Sequence, residues 1–325
     1  MTGTFKANNP YNNFLLFVYA LALKFPIFIF PEKPFAQLLD GVLYKGFLEY
    51  SAGINSALPV FYGLITFLLF YLQAILLNKL VNDFRLHTKS NYLAGMSYLL
   101  ITSLFAEWYT LSSTLIVNTF LIWVWGKLCN LHSEPNPKST IFNIGLVTGI
   151  AGFFYWPCFA FSILIMVGLT IARPFRLAEW LTGLVGLLTP FYFFASWLFL
   201  TGRWQTYRPP YMSVHVPSLS ETRLAYIAII LIIIACIIGI FFINQNLRRQ
   251  VVQTRKSWQL LMLYLFVAAT VPFLNSTYNI SYFILMSVPL AYITATSFYY
   301  PDKKWYPIVM HWSMFAVGII AGYFL

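Results

Sequence analysis

Eleven runs of apolar residues, set apart by short polar segments, dominate the chain. They fall at Phe14–Phe30, Ile54–Asn78, Tyr92–Ala106, Ser112–Trp125, Ile141–Trp156, Phe159–Ala172, Trp180–Leu200, Leu224–Ile243, Trp258–Leu274, Ile280–Phe298 and Ile308–Leu325. A helix needs about 20 apolar residues to cross the hydrocarbon core of a bilayer. The four runs between Tyr92 and Ala172 are shorter, and they come as two pairs with tight turns at Glu107–Leu111 and at Pro157. Three readings of those pairs stand open: tilted helices, hairpins that dip in behind their neighbours, or one pair of continuous kinked spans. The expected total is therefore about eleven transmembrane helices, within a range of nine to thirteen.

Between the first two runs the pattern changes. In FAQLLDGVLYKGFLEY, apolar residues recur at helical spacing with Asp40, Lys45 and Glu49 between them. That predicts an amphipathic helix on the loop 32–51, lying along the membrane surface. On one helix Asp40 and Glu49 would point about 180° apart, so at most one of them faces any given site. The other long polar stretch is Thr201–Arg223, kept irregular by Pro209, Pro210 and Pro217. It divides the chain into an N-terminal module of about seven helices, residues 1–200, and residues 201–325. Just before that boundary, Arg173, Arg176 and Glu179 form a charged elbow in RPFRLAEWLTGLVGLLTP, between two apolar runs.

Composition agrees with the pattern. The chain has 325 residues, 60% hydrophobic and 9% charged, where a soluble domain carries about 25% charged residues. The fold class expected is an all-α integral membrane protein. Met1–Tyr11 is polar and carries no small-residue cleavage site, so no cleavable leader is expected. Cys129, Cys158 and Cys236 are scattered in or beside apolar runs and outline neither a disulfide framework nor a metal site.

The formal charge of +11 does not mark a nucleic-acid partner, because the basic residues sit in the short loops, where they set topology. With the N-terminus in the cytoplasm, fourteen Lys and Arg fall inside and five (Lys33, Lys45, Arg203, Arg208 and Arg223) fall outside. Lys24 lies within the first run. The bias sets the orientation.

That orientation gathers the candidate chemistry at the outer face. Asp40 or Glu49 would serve as a general base toward an acceptor hydroxyl, or both would line the wet side of a surface helix. Glu107, in the turn FAEWYTLSS, is either a functional carboxylate at membrane depth or an interfacial one. Lys24 must snorkel, pair with Glu107 or Asp40, or contact a lipid phosphate. Arg203 and Arg208 stand beside Trp204, Tyr207 and Tyr211, and suit a phosphate or an interfacial belt. His215 is isolated, and His87, His132 and His311 form no ligand set. There is no HExxH, DxD, GxSxG or P-loop, so no metal is expected and no cofactor is evident.

The blocks NDFRLHTKSNYLAGMSYLLITSLFAEW, IFNIGLVTGIAGFFYWP, RPFRLAEWLTGLVGLLTP and RRQVVQTRKSW resemble an uncharacterised family of multi-pass inner-membrane proteins of Bacteroidetes, along most of the chain. That resemblance implies a bacterial inner membrane and brings no activity with it. The order of elements resembles, more distantly, the GT-C superfamily of integral-membrane glycosyltransferases. This likeness implies a polyprenyl-phosphate-linked sugar as substrate, Asp40 or Glu49 as the outer-loop acid, and Lys24, Arg203 and Arg208 as holders of the lipid phosphate. The chain departs from that pattern: beyond Glu32 there is no acid at the end of the first run, and no large soluble C-terminal domain. Three functions remain in play. They are a GT-C-like glycosyltransferase, a non-enzymatic subunit of an envelope-assembly or secretion complex, and a transporter or lipid flippase. A cavity behind Asp40 or Glu49 would favour the first and stoichiometric protein partners the second, while the lack of a clear internal repeat and the few intramembrane charges count against the third.

Overall fold

Every one of the eleven apolar runs contains helix. The computed structural model describes residues 1–58, 60–214, 222–275, 279–303 and 305–324. In order, the helices are α1 (Thr2–Lys6), α2 (Asn12–Lys24), α3 (Pro26–Ile29), α4 (Val42–Ala57), α5 (Phe61–Asp83), α6 (Leu93–Thr102) and α7 (Ser113–Asn130). They continue with α8 (Lys138–Phe154), α9 (Phe161–Ala172), α10 (Leu177–Leu200), α11 (Arg223–Leu247), α12 (Val252–Thr270), α13 (Ser287–Tyr299) and α14 (Trp305–Phe324). Short 3-10 turns extend several of them. Among the described residues there is no strand, only an isolated antiparallel bridge between Asp40 and Tyr155. His215, Glu221 and Lys304 lie outside the described residues.

Among the described residues, seven helical segments are long and apolar enough to cross a membrane: Phe61–Asp83, Ser113–Ser133, Leu177–Leu200, Arg223–Leu247, Val252–Leu274, Ile280–Tyr299 and Trp305–Tyr323. A lipid bilayer is the environment such helices require. Four shorter apolar segments join them: Asn12–Lys24, Leu93–Thr102, Lys138–Phe154 and Trp156–Ala172. The segment at Ser113 is longer than its apolar run, because the helix continues past Trp125 through Gly126–Asn130.

Two expectations about the chain near Asp40 are corrected. The amphipathic helix does not contain Asp40. It begins at Val42, since Gly41 is extended (φ −76°, ψ 169°) and the chain before it pairs with the end of α8. The run Ile54–Asn78 is not one helix either: α4 continues through Ala57, and α5 starts afresh at Phe61.

In lipid the hydrophobic effect no longer drives helix against helix, so close approach and polar contacts must hold them together. Glycines line the contact of α8 with α10. A methyl group on Gly186 would lie 2.2 Å from the carbonyl oxygen of Phe142, and one on Gly145 would lie 2.3 Å from that of Gly183. The elbow fastens the same pair from one end. The Arg173 guanidinium donates to the carbonyls of Leu131 and Glu134 at 2.9 and 2.6 Å and lies 3.5 Å from the Glu179 carboxylate. Helix α13 packs between α6 and α11 and is almost wholly buried. By contrast, α10 and α11 turn most of their leucines, isoleucines and aromatics outward.

Helix direction sorts the loops into two faces. Asp40, Glu107, Ser113 and the 201–214 loop share one face. The N-terminus, His87, the elbow and the end of α13 share the other.

Candidate functional site

Asp40 is held where it is by backbone. Gly41 N–H donates to Phe154 O at 2.8 Å, and Trp156 N–H donates to Leu39 O at 3.0 Å, so three residues of the loop pair with the end of α8. Gly41 is required there, because a Cβ would fall 1.9 Å from Phe153 O. Behind the bridge, Tyr155 bonds to Asn275 and stacks on Tyr282.

The Asp40 carboxyl is 3% exposed. One oxygen accepts a short hydrogen bond from Ser113 Oγ, on the first turn of α7, and the other accepts from Gln37 N–H at 2.7 Å. Burial pushes its pKa above the ordinary 3.8, while the Ser113 and Gln37 donors and the charge of Lys45 pull it back down. A carboxylate tuned this way is a better proton acceptor than a solvated one.

Asp40 forms part of the wall of two cavities. One, of about 370 Å³, is lined on its polar side by Gln37, Ser113, Thr114, Ser281, Glu32 and Glu107. The other, of about 180 Å³, is lined by Lys45, Trp156, Tyr207 and Arg208. The carboxylate therefore borders both a compartment with two basic residues and a larger polar one, where Lys33 accompanies Glu32 and Glu107. Glu32 and Glu107 also border a third cavity of about 570 Å³, walled by Pro26, Tyr62, Thr66, Tyr109 and Gly322. Trp108, whose indole N–H donates to Ile280 O at 2.9 Å, lines an apolar groove of about 600 Å³. That groove is walled by Ile229, Ile233 and Ile237 of α11 and by Leu265, Phe283 and Met286.

The other residues singled out in the sequence fare differently. Glu49 is exposed on α4 and lines neither of the two Asp40 cavities. Arg203 is exposed, with its guanidinium 5.6 Å from the Trp197 ring centre. Lys24 is 0% exposed. Its ammonium donates to Thr102 O at 2.6 Å and lies 4.1 and 4.4 Å from the ring centres of Phe70 and Tyr109. Inside the bundle, a carbonyl and two aromatic faces thus surround the ammonium, and neither Glu107 nor Asp40 is its ion-pair partner. Ser113, Gln37 and Lys45 were not expected. The one available signal was the Asp40–Gly41 dipeptide, a turn motif that breaks the helical spacing.

No group of three or more His, Cys, Asp or Glu able to hold a metal ion occurs among the described residues. Residues 11–324 match the profile of a family of unknown function, DUF6427, and the chain belongs to that family. No curated protein and no solved structure matches it.

Proposed function

We propose that this member of DUF6427 is a GT-C-like glycosyltransferase that moves a sugar from a polyprenyl-phosphate donor, with Asp40 as general base. The observation that carries this reading is the position of Asp40: a buried carboxylate, oriented by Ser113 and Gln37, between a cavity holding Arg208 and Lys45 and one lined by hydroxyls and acids. An acceptor hydroxyl in the larger cavity gives its proton to Asp40 as its oxygen attacks the anomeric carbon. The bond from that carbon to the phosphate oxygen breaks, and the phosphate leaves with the electron pair toward Arg208 and Lys45. The groove beyond Trp108 suits the hydrocarbon tail of the donor, because its walls are almost wholly apolar.

In this reading the four shorter apolar helices complete eleven spans. The charge bias places the Asp40 face outside a bacterial inner membrane, with the N-terminus in the cytoplasm. The test is a cell whose only copy carries Asp40→Asn. It should accumulate the polyprenyl-linked sugar and lose the corresponding envelope glycan. Unchanged donor pools and glycans, with the variant present at normal abundance, would sink the reading.

A further inference from the structure

The face that holds the elbow and His87 gathers exposed basic residues at one corner. Arg85 and Lys89 follow α5, and Arg248, Arg249 and Arg255 belong to the turn from α11 into α12. Two hydrogen bonds dock that turn on the residues either side of Arg85. Thr254 Oγ1 donates to Phe84 O at 3.1 Å, and Gln250 Nε2 donates to Leu86 O at 3.3 Å. Lys89 N–H donates to the Tyr299 hydroxyl at 3.0 Å, which fixes the far end of the segment on α13. Among the described residues, none of the five basic side chains forms an ion pair. Asp83 is the one acid in residues 79–91 and 244–257, and after α13 Asp302 is offset by Lys303.

Two of these charges stand where the backbone disfavours them. Arg85 has φ 50°, the one positive φ outside glycine among the described residues. Leu86 N–H donates to Val81 O at 3.0 Å and Arg85 N–H to Asn82 O at 3.2 Å, so Arg85 fills the left-handed position that closes α5, where glycine is usual. Arg255 lies in the opening turn of α12, against the positive end of that helix, and no acid shares the turn. Orienting the chain needs positive charge on this face, but not at these two positions. An anion seated at the corner offsets both costs and the mutual repulsion of the five. The spans Phe61–Asp83, Arg223–Leu247 and Val252–Leu274 each have an end here, so the corner lies at the depth of the phospholipid head groups. Guanidinium groups match phosphate oxygens two at a time.

We infer that this corner is a binding site for anionic phospholipid, held through its phosphates by Arg85, Arg248, Arg249 and Arg255. The inference needs no part of the transferase reading. The test melts the purified full-length protein in neutral detergent while cardiolipin, phosphatidylglycerol or phosphatidylethanolamine is titrated in. The two anionic lipids should raise Tm, less so at high salt, and phosphatidylethanolamine should not. Arg249→Gln and Arg85→Gly should each move the titration midpoint roughly fivefold to higher lipid. Without lipid, Arg85→Gly should melt close to or above wild type, because glycine suits the left-handed backbone. Arg249→Gln, at an exposed position, serves if Arg85→Gly does not fold. Lys138→Gln, at the start of α8 on the same face, removes one charge too and should keep the wild-type midpoint. Inorganic phosphate and a soluble poly-glutamate peptide should leave Tm unchanged. Equal shifts from anionic and zwitterionic lipid, an equal shift from phosphate or poly-glutamate, or wild-type midpoints in the folded arginine variants overturn the inference.

Discussion

Ser113, on the first turn of α7, donates its hydroxyl to the carboxylate of Asp40, 73 residues earlier in the chain. The donor favours the charged form of the acid against the burial that disfavours it. Ser113→Ala should therefore raise the pKa of Asp40 further. The acidic limb of the pH–rate profile then moves to higher pH, and the rate near neutrality falls roughly tenfold or more, from the loss of a hydrogen bond to a charged group. Asp40→Asn should abolish transfer at every pH while leaving thermal stability equal or higher, because the cost of a buried ionised carboxyl is gone. A Ser113→Ala profile that keeps its acidic limb would remove Ser113 from a positioning role.

Gly41 and Gly46 lie five residues apart and should respond in opposite directions. Gly41→Ala pushes a methyl group into Phe153 O, breaks the pairing with α8 and should lower the melting temperature together with activity. Gly46 sits within α4 with nothing within 4 Å of its would-be Cβ. Gly46→Ala should stabilise by up to about 1 kcal/mol. Thermal unfolding of the two variants in detergent separates them.

The apolar runs were legible because membrane helices must satisfy their backbone internally and turn apolar side chains outward, which writes the span into composition. The surroundings of Asp40 were not. Helical spacing in FAQLLDGVLYKGFLEY argued for one surface helix, and a single turn dipeptide, Asp40–Gly41, was outweighed by it. Of the two donors to Asp40, Gln37 lies three residues away but gives only its backbone N–H, and Ser113 is far away in sequence and matches no motif. Lys24 stood out as a charge in an apolar run, but its partners are a backbone carbonyl and two rings, which leave no pairing pattern to read.

Lys24→Met tests the aromatic enclosure. Methionine fills a similar volume without a buried ammonium, and replacing a buried ion with an apolar side chain is often neutral or stabilising. The variant should fold with stability within about 1–2 kcal/mol of wild type and should retain transfer. Loss of transfer with an intact fold would instead place Lys24 at the substrate.

His87 should make the fold acid-sensitive from the opposite face. Burial lowers its pKa from 6.5 to about 4, Asn91 raises it and the charge of Lys6 lowers it. The folded state therefore binds fewer protons than the unfolded state between those values. Stability is fully present above about pH 6.5 and is lost as pH falls toward about 4, by roughly 3 kcal/mol in all. In His87→Gln this acid-dependent loss should shrink. Melting curves taken near neutral pH and at about pH 4 in wild type and variant provide the check.

The bridge between Asp40 and Tyr155 gives α8 a mechanical role. Its end nearer Tyr155 carries the loop with the carboxylate, and its other end lies near the Arg173–Glu179 elbow, on the opposite face. Along its length it rests on α10 through glycines whose backbones nearly touch. Backbones this close leave α8 little freedom to shift against α10. The loop that carries Asp40 and the charged elbow on the opposite face are thus braced by one rigid pair of helices, and the proposed base stands on a strut that runs the depth of the bundle.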